Sequence, residues 1–190
     1  MDIVLASGSP RRRELLQMLG VKELRVIPAK GEELAPAGLE PGELVKCLAS
    51  HKAHEVAELC SEDDLIIAAD TIVWHEGRVF GKPHSPEEAE DMLRSLSGCS
   101  HQVFTGVSVL RSGRELLEYE MSRVHFRTLE SEEICRYIAT GEPMDKAGAY
   151  GAQGKAALFV QGIDGDFFNV MGLPLCRLGQ MLKEQGVVLL

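Results

Sequence analysis

LASGSPRRRELLQMLG, residues 5–20, is the stretch whose reading decides the fold. Residues 2–6 read as a short buried strand. Ser9 then stands where a helix N-cap belongs, and Pro10 occupies the first-turn position that proline tolerates. Leu15, Leu16 and Leu19 give the following helix an apolar stripe, and Gly20 is a natural stop. Strand, tight loop and helix start therefore succeed one another, with Arg11, Arg12 and Arg13 in the first turns. Cations there oppose the helix dipole, which favours anions at that end. Such a concentration points to a bound anion: phosphate would be held by backbone N–H groups, the Ser9 hydroxyl and guanidinium forks. The plainer reading is a solvated basic helix end.

Outward from this stretch, helical and strand-like segments alternate, which predicts an α/β fold. Strands are expected at residues 24–28, 65–74 and 158–163. Residues 102–110 and 116–127 read as long strands in a hairpin across Ser112–Gly113. Helices are expected at residues 43–60, with Leu44, Leu48, Val56 and Leu59 inward, and at 86–96, 132–139 and 174–185. A polar loop, residues 30–42, carries Glu32 and Glu33. The near-continuous apolar run at 65–74 reads as a buried central strand. Trp74 and the pair Phe167 and Phe168 look like core. With no repeat, low-complexity tract or linker, residues 1–190 read as a single domain, two-lobed at most.

The 190 residues carry 29 acidic and 20 basic side chains, a net charge of −9. That balance argues against general nucleic-acid or membrane binding, both of which want basic surfaces. A local cluster of arginines on such a background suits a small anionic ligand. The five cysteines are widely spaced and form no C-x-x-C pair, so they read as reduced, mostly packed thiols. No segment has the signature of a leader or a membrane span. A cytoplasmic protein is the expectation.

Asp70 interrupts IIAADTIVW, and a carboxylate inside such a strand is costly unless it is paired or metal-bound. If Glu76 and Gly77 form a two-residue hairpin loop, His75 pairs with Arg78, Val73 with Phe80, and Thr71 faces Lys82. A bulge would shift that register and reverse the side. DKAGAYGAQG, residues 145–154, places glycines at 148, 151 and 154, which permit close approach of a ligand, beside Lys146 and Gln153. It is not a P-loop, since five residues separate Gly148 from Gly154 and Ala156 follows Lys155. Glu33 or Glu32 could supply a second carboxylate for a hard divalent cation. Lys52 lies on the long helix, where lysines normally reach solvent. His51 and His54 have zinc spacing without a third ligand. No Ser–His–Asp or Cys–His pattern has sequence support. Together these features favour metal-assisted attack of water on a phosphate ester or anhydride.

SGSPRR at residues 7–12, AADT at 68–71, GKP at 81–83, LSG at 96–98, DKAGAYGAQG at 145–154 and MGLP at 171–174 occur in the order of one family. Together they resemble the Maf family of nucleoside triphosphate pyrophosphatases over nearly the whole chain. The resemblance implies a fold like that of the inosine triphosphate pyrophosphatases: a mixed twisted sheet flanked by helices, with two lobes and a cleft between them. It implies hydrolysis of a nucleoside triphosphate to the monophosphate and pyrophosphate with a divalent metal, Mg²⁺ or Mn²⁺, in a house-cleaning role and as a homodimer. Asp70 matches the catalytic acidic residue, as general base or metal ligand. Ser9, Arg11 and Arg12 match the phosphate-contacting motif. Glu33, Lys52, Lys82 and Lys146 match the polar cluster around triphosphate and metal, with Glu32 an alternative to Glu33.

Arg11, Thr71 and Gln153 resemble the branch of the family that acts on dTTP and UTP rather than on 7-methyl-GTP. A glutamine amide can pair with the donor–acceptor edge of uracil or thymine. Two other readings compete: a nucleotide-sensing regulator of cell division without significant turnover, and a purine-directed pyrophosphatase of the same fold.

Overall fold

The computed structural model describes residues 1–21, 23–31, 35–36 and 38–189. In chain order the elements are β1 Ile3–Leu5, α1 Pro10–Met18, β2 Leu24–Val26, α2 Pro41–Ala57, β3 Leu65–His75, β4 Arg78–Phe80, α3 Pro86–Leu96, β5 Ser100–Arg111, β6 Arg114–Phe126, α4 Ser131–Ile138, β7 Val160–Asp164, α5 Phe167–Met171 and α6 Leu175–Glu184. Short 3₁₀ turns at Glu142–Asp145, Ala147–Ala149 and Lys155–Phe159 join α4 to β7. Among the described residues the strands form one sheet in the order β2-β1-β3-β5-β6-β7, with β4 paired to β3. β1 runs parallel to both β2 and β3. β3–β4 and β6–β7 are antiparallel. The expected mixed α/β fold is therefore what the chain adopts.

The chain divides into two compact units. The first comprises Met1–Asp70, Thr105–Glu120 and Gly172–Leu190, the second Thr71–Phe104 and Met121–Met171. In the first, α2 packs Ala53 and Val56 onto Val4, Ala6, Ile66 and Ala68 of the β1–β3 strands. Alternate strand residues face one side, so Ile66 and Ala68 lie on that covered face and Asp70 follows them in the same register. In the second unit, Ala89, Met92, Leu93 and Leu96 of α3 join Val73, Val103, Val124, Phe126 and the α4 residues Ile134 and Tyr137 in another core. Its rings Phe126, Tyr137, Tyr150 and Phe159 meet edge to face, 4.7–6.1 Å between centroids.

Both hairpins turn as the sequence requires. Glu76 and Gly77 (φ 48° and 78°) and Ser112 and Gly113 (φ 47° and 74°) each place two residues in the left-handed region, the geometry of a tight two-residue turn. The β3–β4 register is Val73 with Phe80 and His75 with Arg78, as predicted. The ladder ends at Phe80, and Lys82 stands two residues beyond it.

Several expectations need correction. α2 starts at Pro41 and stops at Ala57, because Leu59 and Cys60 close onto Val56 and Ala57 in tighter i→i+3 turns. Leu59 consequently swings outward and is 66% exposed rather than inward. Residues 155–159 coil into a 3₁₀ turn before β7 begins, leaving Leu158 exposed. Phe167 is exposed, on the outer side of α5, a helix the sequence reading missed; the Asp166 carboxylate caps it by accepting the Phe168 N–H at 2.7 Å. All five cysteines are free thiols, but none is fully buried, and Cys135 and Cys176 are exposed.

Candidate active site

Ser9 does cap α1 in position, with an extended backbone ahead of Pro10, but its hydroxyl makes no cap hydrogen bond. The first N–H groups of a helix have no partners within it, so this end keeps its capacity for an anion. Ser7, which the sequence reading passed over, organises the turn: its buried hydroxyl oxygen accepts the Ser9 N–H at 3.2 Å and Arg12 Nη1 at 3.1 Å. Arg12 Nε donates to the Gly172 carbonyl at 2.7 Å. The guanidinium is thus clamped from two sides. The MGLP stretch at 171–174 acts here as backbone, presenting one carbonyl to Arg12. Arg11 is half-buried beside it.

Asp70 is buried, and Lys52 on α2 donates its ammonium to Oδ1. The lysine side chain is only 20% exposed, so it does not reach into solvent as its helical position suggested. The pair answers the question posed by a carboxylate in an apolar strand: helix and strand are each charged where they meet. One turn along α2, Glu55 accepts the N–H groups of Lys30 and Gly31 at 2.6–3.1 Å. Those backbone hydrogen bonds, with Lys30 foremost, hold its carboxyl below the usual range. Glu55 therefore fixes the chain just before Glu32 and Glu33, which lie outside the described residues. His54 contacts Glu115 at 3.2 Å instead of pairing with His51 for a metal. Among the described residues no group of three or more His, Cys, Asp or Glu could hold a metal ion.

The second unit carries Thr71, Lys82, Lys146 and Gln153. Thr71 follows Asp70 directly on β3 and is half-buried, while Lys82 and Gln153 are exposed. The Gly148 N–H donates to the Gly81 carbonyl at 3.0 Å, which ties the DKAGAYGAQG loop to the GKP loop of Lys82. Lys146 is tied within its own loop, its ammonium donating to the Glu142 carbonyl at 2.8 Å and to Asp145 at 2.6 Å. Tyr150, fully inside, hydrogen-bonds His101 at 2.7 Å and fastens the middle of the loop to β5.

The glycines of this loop serve a purpose other than the expected one. A Cβ at Gly148 would meet Val73 at 2.8 Å, one at Gly151 would meet Lys146 at 2.5 Å, and one at Gly154 would meet Glu142 at 2.1 Å. All three make room for the protein itself. Gly148, at φ 67°, also needs the left-handed conformation.

A hydrogen-bonded string of Ser100, His125 and Asp164 occurs in the second unit, at 2.7 and 2.8 Å. Its acid is 74% exposed, so water screens the charge that would have to stabilise an imidazolium. We read it as a pin across β5, β6 and β7.

An α/β sheet with a cationic helix start and a lysine-paired aspartate on a central strand carries the charged groups that the sequence motifs led one to expect. A family model described as Maf-like protein matches residues 2–185. The chain is 51% identical over 187 residues to a dTTP/UTP pyrophosphatase of Pelotomaculum thermopropionicum (strain DSM 13744 / JCM 10971 / SI), with 97% of each chain covered. It is 48% identical over 185 residues to a dTTP/UTP pyrophosphatase of Bacillus cereus (strain ZK / E33L), covering 97% of this chain and 96% of the relative. Among solved structures, a HAM1 protein from Coxiella burnetii superposes with a TM-score of 0.51 at 18% identity, over 97% of this chain and 99% of that one. That last likeness is one of fold alone. The chain belongs to the Maf-like protein family.

Proposed function

We propose that the chain is a nucleoside triphosphate pyrophosphatase that hydrolyses dTTP and UTP to the monophosphate and pyrophosphate. The observation that carries the chemistry is Asp70, a buried carboxylate held by Lys52. The choice of substrate is supported by the names of relatives at about half identity and by the presence of Arg11, Thr71 and Gln153.

In this reading the open start of α1, with Ser9 and Arg11, receives phosphate oxygens, and Arg12 arrives already oriented by Ser7 and Gly172. Asp70 orients a water toward the α-phosphorus and takes its proton; the α–β anhydride bond breaks and pyrophosphate leaves. Lys52 holds the Asp70 carboxylate in place for that role and balances charge on the phosphates. Lys82 and Lys146 add positive charge for the triphosphate, while Thr71 and Gln153 serve the nucleoside.

The donor set suits Mg²⁺ or Mn²⁺. Asp70 offers hard carboxylate oxygen, and such ions take few protein ligands and fill their shell with phosphate and water. Asp70, with Glu33 or Glu32, would hold the ion. When bound, it supplies Lewis-acid polarisation of the phosphates and a more acidic water.

The test is pyrophosphate release from dTTP, UTP, CTP, 7-methyl-GTP and ITP, with Mg²⁺ or Mn²⁺ and with EDTA. Metal-dependent release from dTTP and UTP, abolished by EDTA, is expected. Turnover of 7-methyl-GTP with dTTP and UTP untouched would reject the pyrimidine assignment. Tight dTTP binding with no release would instead support the sensing role. From the reduced thiols and the family resemblance we also infer a cytoplasmic homodimer.

A further inference from the structure

Glu142 belongs to none of the substrate-facing motifs, yet its carboxylate holds the loop that carries two of the assigned contacts. It opens the 3₁₀ turn that leads into Lys146. Its Oε1 accepts the Tyr137 hydroxyl at 3.1 Å, and both its oxygens accept the Lys155 N–H, at 3.0 and 3.2 Å. Its carbonyl accepts the Lys146 ammonium at 2.8 Å. Tyr137, itself buried in α4, also receives the Gly151 N–H at 3.3 Å. The Glu142 backbone thus holds the Lys146 end of residues 145–154, while its carboxylate holds the chain just past Gly154 and the Tyr137 hydroxyl that takes the Gly151 N–H.

The close fit at Gly154 and Gly151 shows how tightly the grip is drawn. A single added carbon would meet Glu142 or Lys146 well inside van der Waals contact. A carboxylate is the group this position needs. Its Oε1 takes the tyrosine O–H and the backbone N–H together, and as a charged acceptor it strengthens both hydrogen bonds.

We propose that Glu142 is a positioning residue, setting Lys146 and Gln153 in place for the triphosphate and the base by locking the loop between them. This rests on the reading of those two residues as substrate contacts. Removing the carboxylate releases the Lys155 N–H and the Tyr137 hydroxyl that holds Gly151, the residue packed against the Lys146 stem. The effect therefore reaches Gln153 and Lys146 through the loop and falls on substrate binding and base choice more than on the bond-breaking step.

The experiment compares wild type with Glu142→Ala, Glu142→Gln, Tyr137→Phe, Lys146→Ala, Gln153→Ala and the doubles Glu142→Ala/Lys146→Ala and Glu142→Ala/Gln153→Ala. Readouts are kcat and KM for dTTP and UTP, the dTTP-to-CTP preference, and the melting temperature. For Glu142→Ala, KM should rise about tenfold, the loss expected from an ordinary hydrogen bond's worth of binding, with kcat within about threefold. Base preference should fall with it. Glu142→Gln keeps one acceptor oxygen and should recover part of the loss, and Tyr137→Phe should raise KM by less. In both doubles the effects should be smaller than the product of the singles, because the second change finds its contact already lost.

A wild-type KM in Glu142→Ala, beside a raised KM in Lys146→Ala, would overturn the inference and leave the pyrophosphatase reading standing. Independent, multiplying effects in the doubles would overturn it as well, since they assign Glu142 to general stability. Should Glu142→Ala fail to fold, Glu142→Gln and Tyr137→Phe give the same comparison. No turnover of any pyrimidine triphosphate by wild type would remove the functional reading, and this inference with it.

Discussion

Asp70 ends a run of five buried apolar residues, Leu65 to Ala69, and meets the Lys52 ammonium coming down from α2. Replacing it by Asn keeps the size and removes the base, so kcat should fall at least about 10²-fold; near-normal pyrophosphate release would reject its role. Lys52→Met should leave the buried carboxylate without its ammonium. That loss is expected to destabilise the protein by about 3 kcal/mol, read as a lower urea midpoint. Asp70→Asn in the same chain should restore most of it, because the stranded charge is gone. Asp70 was legible in the sequence because a lone acid in an apolar strand needs a reason. Its partner was not, since Lys52 looks like any helical lysine and the contact spans 18 positions. Ser7, Glu55 and Glu142 escaped for a related reason: they act on the backbone of other residues, and no side-chain pattern announces that. The glycines of residues 145–154 were seen but misread, because a glycine spared for a ligand and one spared for a neighbouring side chain look the same in a sequence.

At the scale of elements, β5 shows how a helix can dictate a strand residue. A Cβ at Gly106 would lie 2.2 Å from the Val45 carbonyl oxygen and 2.3 Å from its carbon, both backbone atoms of α2. Neither can rotate away, so Gly106→Ala should cost about 3 kcal/mol or more and lower the denaturation midpoint. α4 has a different dependence. Its capping residues Glu130 and Glu133 are joined by Arg127, whose guanidinium grips Glu133 at 2.7 and 2.9 Å. That ion pair, with the Glu130 N–H, pulls the Glu133 carboxyl from 4.5 down to about 2. A carboxyl lowered in the folded state gives its support above the unfolded value and loses it as pH falls toward the folded one. The α4 segment should therefore loosen between about pH 4.5 and 2, and Glu133→Gln should flatten that part of an amide-exchange profile. Locally punctuated elements were read well: Pro86–Leu96 ends where predicted, and both hairpin turns sit at the dipeptides that allow them. Elements set by tertiary demand were read poorly, as with the early end of α2 and the unseen α5.

For the molecule as a whole, acid sensitivity should begin with His101. It is buried in the second unit, and its Nδ1 has no hydrogen-bond partner among the described residues. Burial first, then nearby His75 and His125, depress its pKa from 6.5 to about 3. The unfolded chain binds a proton there that the folded protein refuses. Stability should fall as pH drops from about 6.5 toward 3, with a slope approaching one proton. His101→Gln should remove that slope from a pH series of urea midpoints, at some loss of overall stability; an unchanged slope would reject the assignment. The overall fold and the branch motifs were legible because they are spread along the chain in order. Two lobes were expected, but where the units divide was not legible, since each is assembled from separated segments. That assembly bears on how the protein comes into being. On the ribosome the arginine motif is made 160 residues before the carbonyl that clamps Arg12, which belongs to Gly172. Until Gly172 has been made, the Arg12 guanidinium lacks one of its two holds. The clamp on that arginine is therefore a late event in the life of the chain, however early the arginine itself is made.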